Sequence, residues 1–397
     1  MAAEVTFIVV HGDVPEVYGG EKSSLSTARG LRQAGFRPRF LITVADDLGD
    51  ELQAAGLDYE VVPVGDPFAG LRGAPWRERL ARALAILRVN AAGFRATRGR
   101  SAIIHTAGIP AFFCGWLGGR LARAKVIYHV RTASRNQTTR WFESLAIFLS
   151  DRTITVSESL RRQLLDTGAG WARPLLASRT RAIYNGFDFA PIDRVLAGTT
   201  PAEARAQTGI PAQATSLLLV GAVFGDKGQL RLIEEVLPAA FAAVPELDIT
   251  FVGGSKDDAY LAACRAALAR AGLADRARFT GYLPLERVYL YYRAADILVL
   301  PSEREGLPRN AVEAHAFGLP VVATGVVGTV EVVRHGESGF LVANERVADM
   351  VEPIVRLARD AALRESMGRR GAAHVRAQFG LDRNVSEIAS VYRELLS

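Results

Sequence analysis

The chain reads as two successive series of short, β-branched-rich apolar runs, each run separated from the next by a longer stretch with helical spacing. The first series covers residues 5–10, 40–44, 59–64, 102–105, 126–130, 153–156 and 182–184, with helical stretches at 22–34, 76–98 and 157–167. These runs are apolar without alternation, as strands buried on both faces of a parallel sheet must be. The pattern then restarts at 216–220 and continues through 249–252, 277–280, 297–300, 321–323 and 340–342. Helical stretches at 229–243, 257–271, 309–317 and 347–359 alternate with this second series. Between the two series, 185–210 reads as an irregular junction marked by Gly186, Pro191, Gly198, Pro201 and Gly209. The predicted fold class is α/β, as two doubly wound domains facing each other across a cleft. The first domain is expected over 1–190 and the second over 200–378. Ligands bind such sheets at the carboxyl ends of the strands, so the inter-domain cleft is where chemistry is expected.

Composition narrows the function. A chain of 397 residues that is 49% hydrophobic can build two or three cores, which excludes disorder. Cys114 and Cys264 are too few for a disulfide framework, so a reducing cytoplasm is expected. Residues 1–10 lack a basic start and a small-residue cleavage site, and they read as a first strand rather than a signal peptide. The longest near-apolar run, 107–119, falls short of the roughly 20 residues that span a bilayer. A net charge of +6 is modest and does not point to nucleic acid as a partner. Of the 48 basic residues only Lys22, Lys125, Lys227 and Lys256 are lysine, so a position that stays lysine stands out.

Three loops could carry chemistry. Val17-Tyr18-Gly19-Gly20-Glu21 follows the first strand and opens a helix. Its glycines let backbone approach a ligand, and free amides at a helix start favour an anion. An ordinary strand-to-helix turn explains it equally well, and the Gly-x-Gly-x-x-Gly dinucleotide pattern is absent. Residues 217–228 form the equivalent strand and loop of the second half, ending in Lys227-Gly228. A lysine ahead of a helix start neutralises a phosphate that the helix dipole also attracts, and its rarity here favours that role over a solvated surface lysine. The third loop is 301–323, where Glu305 is expected in the loop after a strand and Glu313 two turns into the next helix. Spacing alone proves little, since Glu337 and Glu345 repeat it. The flanking Pro301-Ser302, Glu305-Gly306 and the Gly-Leu-Pro-Val-Val at 318–322 raise its specificity. Carboxylates so placed suit sugar or ribose hydroxyls.

Together with Thr-Ile-Thr-Val-Ser-Glu-Ser at 153–159, Tyr184-Asn185-Gly186-Phe187-Asp188 and Gly328-Thr329-Val330-Glu331, these pieces resemble, in order and spacing, the retaining glycosyltransferases of family 4. The resemblance covers almost the whole chain. It implies the GT-B fold of two facing Rossmann-like domains, with the final helix, about 380–397, packing back on the first. It also implies Lys227 on the diphosphate of the sugar donor, Glu305 on the donor-sugar hydroxyls with Gly306 and Leu307 beside it, and Glu313 on the nucleotide ribose. The Gly20 backbone would meet phosphate or acceptor, and His129 would lie near the transferred sugar. A half-buried strand-end histidine accounts for His129 as well. The 279–283 loop, with Tyr282, would frame the base, and the Gly328, Thr329 and Val330 amides would meet phosphates. Lys227, Glu305 and His129 are thus the expected catalytic residues. Two positions depart from the family pattern. Ala222 stands where many members have an arginine that pairs with the lysine, leaving Arg304 or Arg309 to supply that charge. Gly328-Thr329 stands where two glycines are frequent.

The expected activity is retaining transfer of a sugar from a nucleotide-diphosphate donor such as a UDP-sugar to a glycan or lipid-linked acceptor. The expected setting is bacterial cell-surface polysaccharide or glycolipid biosynthesis. Two other readings fit the same residues: an epimerase or hydrolase of nucleotide sugars, and a non-catalytic nucleotide-binding scaffold, for which Ala222 is the best argument. No Asp-x-Asp and no zinc-like Cys/His spacing occur, so neither a metal nor another cofactor is expected. Residues 71–100 carry eight arginines and one acid, Glu78. Trp76, Leu80, Leu84, Leu87, Ala91 and Phe94 recur at three- and four-residue steps and are expected to be buried on the first domain. The basic exterior left over would suit reversible docking at the inner face of an anionic membrane without insertion.

Overall fold

A computed structural model describes residues 3–10, 19–44, 47–68, 75–100, 102–132, 137–167 and 173–397. The chain divides into two compact units, one of Met1–Phe187 with Leu381–Ser397 and one of Asp188–Gly380.

Among the described residues, the first unit is built on seven parallel strands: β1 (Glu4–Val9), β2 (Arg37–Ile42), β3 (Asp58–Val61), β4 (Ala102–Ala107), β5 (Lys125–Val130), β6 (Arg152–Thr155) and β7 (Thr180–Ala182). Their order across the sheet is β3-β2-β1-β4-β5-β6-β7. The second unit has six: β8 (Thr215–Val220), β9 (Leu247–Val252), β10 (Ala277–Phe279), β11 (Ile297–Leu300), β12 (Val321–Thr324) and β13 (Gly339–Val342). Their order is β10-β9-β8-β11-β12-β13. In each sheet the chain runs outward one way, then returns to the first strand and builds in the other direction. That leaves a switch point between β1 and β4, and another between β8 and β11, where a crevice opens outside the carboxyl ends of the strands.

Burial follows the sequence pattern. Every residue of β9, β11 and β12 is buried, which only helices covering both sheet faces can achieve. The first unit's core joins Val5, Phe7 and Val9 of β1 to Val385, Ile388, Val391, Tyr392 and Leu395 of the last helix, Leu381–Leu396. The second unit's core joins Leu217 and Leu219 to Leu232, Phe241, Ile249 and Leu357.

Three expectations are corrected. The irregular junction at 185–210 is largely helical, with helices Ala190–Gly198 and Pro201–Thr208 inside the second unit. The prolines and glycine read as breaks are helix signals: Pro191 and Pro201 sit in first turns, Thr200 and Glu203 form a capping box, and Gly209 ends the second helix with φ +71°. The single helix expected at 229–243 is two, Gln229–Glu235 and Leu237–Ala243, because Pro238 can only open a new helix. The third correction concerns Trp76–Thr97. Nothing from 76 to 88 is buried, and Trp76, Leu80, Leu84 and Leu87 are 69, 54, 52 and 51% exposed. The buried face is instead Val89, Asn90, Ala92, Gly93 and Ala96. Small side chains decide this: a Cβ at Gly118 of helix Gly108–Leu121 would lie 2.0 Å from the Asn90 carbonyl oxygen. The two helices meet backbone to backbone there, and the bulky half of the first is left uncovered.

Candidate functional site

The second unit's site grows from its switch point. β8 and β11 pair with Leu218 opposite Leu298, so their following loops leave the sheet side by side. The β8 loop turns through one 3-10 turn, Gly225–Lys227, and the β11 loop runs from Pro301 to Pro308 before helix Arg309–Ala316. Gly228 has φ +71°, and a Cβ there would lie 2.2 Å from the Pro301 carbonyl oxygen, so only glycine lets the loops touch. Glu303 N–H donates to the Asp226 carbonyl at 2.9 Å, and Asn310 Nδ2 donates to the Val220 carbonyl at 2.7 Å.

Across this seam two ion pairs run side by side. Lys227 Nζ donates to Glu305 Oε1 at 2.7 Å, and the Arg304 guanidinium donates to Asp226. Both side chains of the first pair are largely covered, so solvent screens it less than an ordinary surface pair. Glu313 is buried one helix further on, accepting from the Tyr292 hydroxyl at 3.2 Å and from Arg309 at 3.4 Å. Burial first, and the Glu313 charge second, push both Tyr289 and Tyr292 well above the ordinary phenol range.

The remaining residues expected in this unit surround the same strand ends. Gly306 and Leu307 continue the Glu305 loop, with Leu307 buried. Gly328 has φ +80° and packs against it, since a Cβ there would lie 2.1 Å from the Gly306 carbonyl oxygen. The Thr329 and Val330 amides turn inward, donating to the Val326 carbonyl at 3.1 and 3.4 Å. Tyr282 is exposed beyond β10, on a loop tied to the end of β9 by Gly253 N–H donating to the Gly281 carbonyl. Ala222 carries no charge to the seam, and its carbonyl accepts from Gln229 at 3.0 Å. Of the two arginines considered in its place, Arg304 stands in the seam and Arg309 on Glu313.

In the first unit His129 is the penultimate residue of β5 and is buried. Its Nδ1 lies 3.0 Å from His105 Nε2, and His105 Nδ1 lies 2.6 Å from the Tyr392 hydroxyl. Burial first, then the Arg131 charge, push both histidines below the ordinary imidazole range, His105 to about 3. Arg131 also donates to the Gly20 carbonyl and to Ser24 Oγ, tying the start of helix Gly19–Gln33 to the end of β5. Val17 and Tyr18 lie outside the described residues. His105, Arg131, Tyr392, Tyr292 and Asn310 were not anticipated. Only Arg131, two residues after His129, carried a positional signal. Among the described residues, no helix is long and apolar enough to cross a membrane, and no group of three or more His, Cys, Asp or Glu could hold a metal ion.

Comparison with known proteins bears on both units. Residues 17–190 match the family model described as Glycosyltransferase Family 4, and 214–360 match that of Glycosyl transferases group 1. The D-inositol 3-phosphate glycosyltransferase of Acidothermus cellulolyticus is 32% identical over 64% of this chain and 56% of its own length. The 2-deoxystreptamine glucosyltransferase of Streptomyces kanamyceticus is 30% identical over 56 and 58%. The chain thus spans about half the length of the curated relatives it matches. Among solved structures, Anabaena Alr3699/HepE in complex with UDP superposes with a TM-score of 0.79 at 21% identity, covering 98% of this chain and all of that one. The sucrose-phosphate synthase of Thermosynechococcus elongatus gives 0.76 at 24%, covering 99% of each chain.

Proposed function

Because the chain belongs to the family 4 glycosyltransferases and has the Rossmann-like units of their GT-B fold, we propose that it moves a sugar from a nucleoside-diphosphate donor to an acceptor hydroxyl. The observation that carries this is the pairing of Lys227 with Glu305 at the β8/β11 switch point, with Glu313 buried beside them. The negative charge that grows on a leaving diphosphate needs a fixed cation, and Lys227 is held at the mouth of the crevice for it. As the diphosphate draws Lys227 to itself, Glu305 is released to accept hydrogen bonds from sugar hydroxyls. Glu313 accepts from the ribose. Arg304, in the same seam, stands in for the arginine absent at Ala222.

The transfer proceeds with retention and without a metal ion, and the sugar donor is a UDP-sugar. The name of the Anabaena neighbour's complex with UDP-glucose supports that last choice. Enzymes whose printed names are D-inositol 3-phosphate glycosyltransferase and 2-deoxystreptamine glucosyltransferase support a polyhydroxylated acceptor, glycan or lipid-linked. The setting is cytoplasmic, in bacterial polysaccharide or glycolipid assembly at the inner membrane face. The exposed Trp76, Leu80, Leu84 and Leu87, with Arg77, Arg79 and Arg88 also exposed beside them, form a surface that attaches to anionic lipid by shallow apolar insertion as well as charge. UDP and UDP-glucose should raise the melting temperature of the wild type, since ligands that bind only the native state stabilise it. EDTA should change neither that shift nor turnover. Loss of turnover with EDTA and its return with Mn²⁺ would refute the metal-free reading, and no shift with any nucleotide would refute the site.

A further inference from the structure

His129, His105 and Tyr392 form a chain of ring contacts buried inside the first unit, at 3, 2 and 0% exposure. Two elements supply it through the sheet. His105 lies on β4 and His129 on β5, and because Ala107 is the partner of His129, the two histidines share a sheet face. The third member comes from helix Leu381–Leu396, far away in sequence, which lays Tyr392 against that face with Phe36 at its edge.

The polarity of the chain follows from counting protons. The Tyr392 hydroxyl has His105 Nδ1 as its hydrogen-bond partner, at 2.6 Å, and no contact with solvent. If His105 Nδ1 carried the proton, the phenolic hydrogen would be buried without an acceptor and His129 Nε2 would be a bare lone pair. If Tyr392 donates instead, His105 is protonated on Nε2 and donates to His129 Nδ1 at 3.0 Å. His129 then carries its proton on Nε2. That arrangement leaves one group unsatisfied rather than two, and buried polar groups are satisfied wherever geometry allows. The assignment needs both rings neutral, and their burial beside Arg131 disfavours the imidazolium in each. The one group left over is His129 Nε2, which is buried and has no hydrogen-bond partner among the described residues.

We propose that Tyr392 and His105 are positioning residues that lock His129 in its Nε2–H tautomer, so that it offers a hydrogen-bond donor, not a base, to a ligand oxygen at the carboxyl end of β5. The identity of that ligand rests on the function proposed above, whereas the tautomer does not. A histidine so fixed cannot take a proton from the acceptor. It can orient a bound hydroxyl or phosphate oxygen and strengthen its bond to it as charge redistributes.

The test is a long-range proton–nitrogen correlation spectrum of protein labelled on histidine nitrogen, with the His129 ring assigned by its loss in His129→Gln. Wild-type protein should show a bare Nδ1 and a protonated Nε2 for His129. Tyr392→Phe keeps the ring packing but removes the donor, so both tautomers should appear, with kcat/KM falling several-fold. His105→Phe, which keeps a ring stacked on Phe7, should also release the tautomer and serves if the first variant does not fold. A protonated Nδ1 in the wild type would overturn the proposal, as would variants whose His129 pattern stays unchanged. The predicted pattern in a protein that turns over no sugar nucleotide would uphold the relay and sink the proposed function instead.

Discussion

Lys227 and Glu305 are 78 positions apart and bonded at 2.7 Å, so each sets the other's position before any ligand arrives. Lys227→Ala should therefore lower kcat/KM roughly 100- to 1,000-fold, the usual cost of one preorganised electrostatic group. The fold should remain, because Arg304 and Asp226 still bridge the two loops. Steady-state kinetics within twofold of wild type would remove Lys227 from the phosphate site. Glu313→Gln and Glu305→Gln should separate by ligand. Titration calorimetry with the free nucleoside diphosphate should show weaker binding for Glu313→Gln, whereas Glu305→Gln, which loosens the competing hold on Lys227, should not weaken it. The opposite pattern would mean their roles are exchanged. Both glutamates and the lysine were visible in the sequence as residue types in suitable loops. That Lys227 closes on Glu305 was not, because register across β8 and β11 decides it. The relay was less visible still: Tyr392 lies 287 positions from His105, and nothing in its amphipathic helix says what its hydroxyl meets.

Elements were legible where a run was apolar throughout and obscure where their meaning depended on a neighbour. Proline and glycine at 191, 201 and 209 read as a break because a helix cap and a linker use the same residues. The stripe on Trp76–Thr97 read as buried because periodicity marks an apolar face without saying what covers it; the close approach of Gly118 to the Asn90 backbone decided that. Two predictions belong here. Removing Leu381–Ser397 takes Val385, Ile388, Val391, Tyr392 and Leu395 from the first unit's core. At about 2–5 kcal/mol for each large side chain lost, this is as large as the ~5–15 kcal/mol that holds a domain. Limited proteolysis of the truncated chain should degrade the first unit while a fragment near Asp188–Gly380 persists, and a melting curve like that of the full chain would contradict the placement. On the lipid side, the chain should sediment with anionic vesicles and not with neutral ones. Arg77→Glu with Arg79→Glu should weaken this at about 1 kcal/mol per arginine removed, and Trp76→Ser with Leu80→Ser should leave only a salt-sensitive remainder. Full recovery in the supernatant at low salt would leave a helix exposed to water alone.

At the scale of the whole molecule, both sheets reverse direction at their first strand, and the described candidate residues lie near strand ends of their own units: Lys227, Glu305 and Glu313 in one, His129 and Gly20 in the other. The doubly wound class was readable from alternation alone. The role of each half came only through its resemblance to a family, because open sheets of this kind serve many chemistries. The central claim is that sugar leaves a nucleoside diphosphate only when an acceptor receives it. The most direct measurement is release of nucleoside diphosphate from a UDP-sugar by the purified chain, with and without a cell-envelope acceptor extract. Release that depends on the extract, and disappears in Lys227→Ala, is the predicted result. Equal release without acceptor would make the protein a hydrolase, and no release in either case would make it a binding scaffold; both contradict the account.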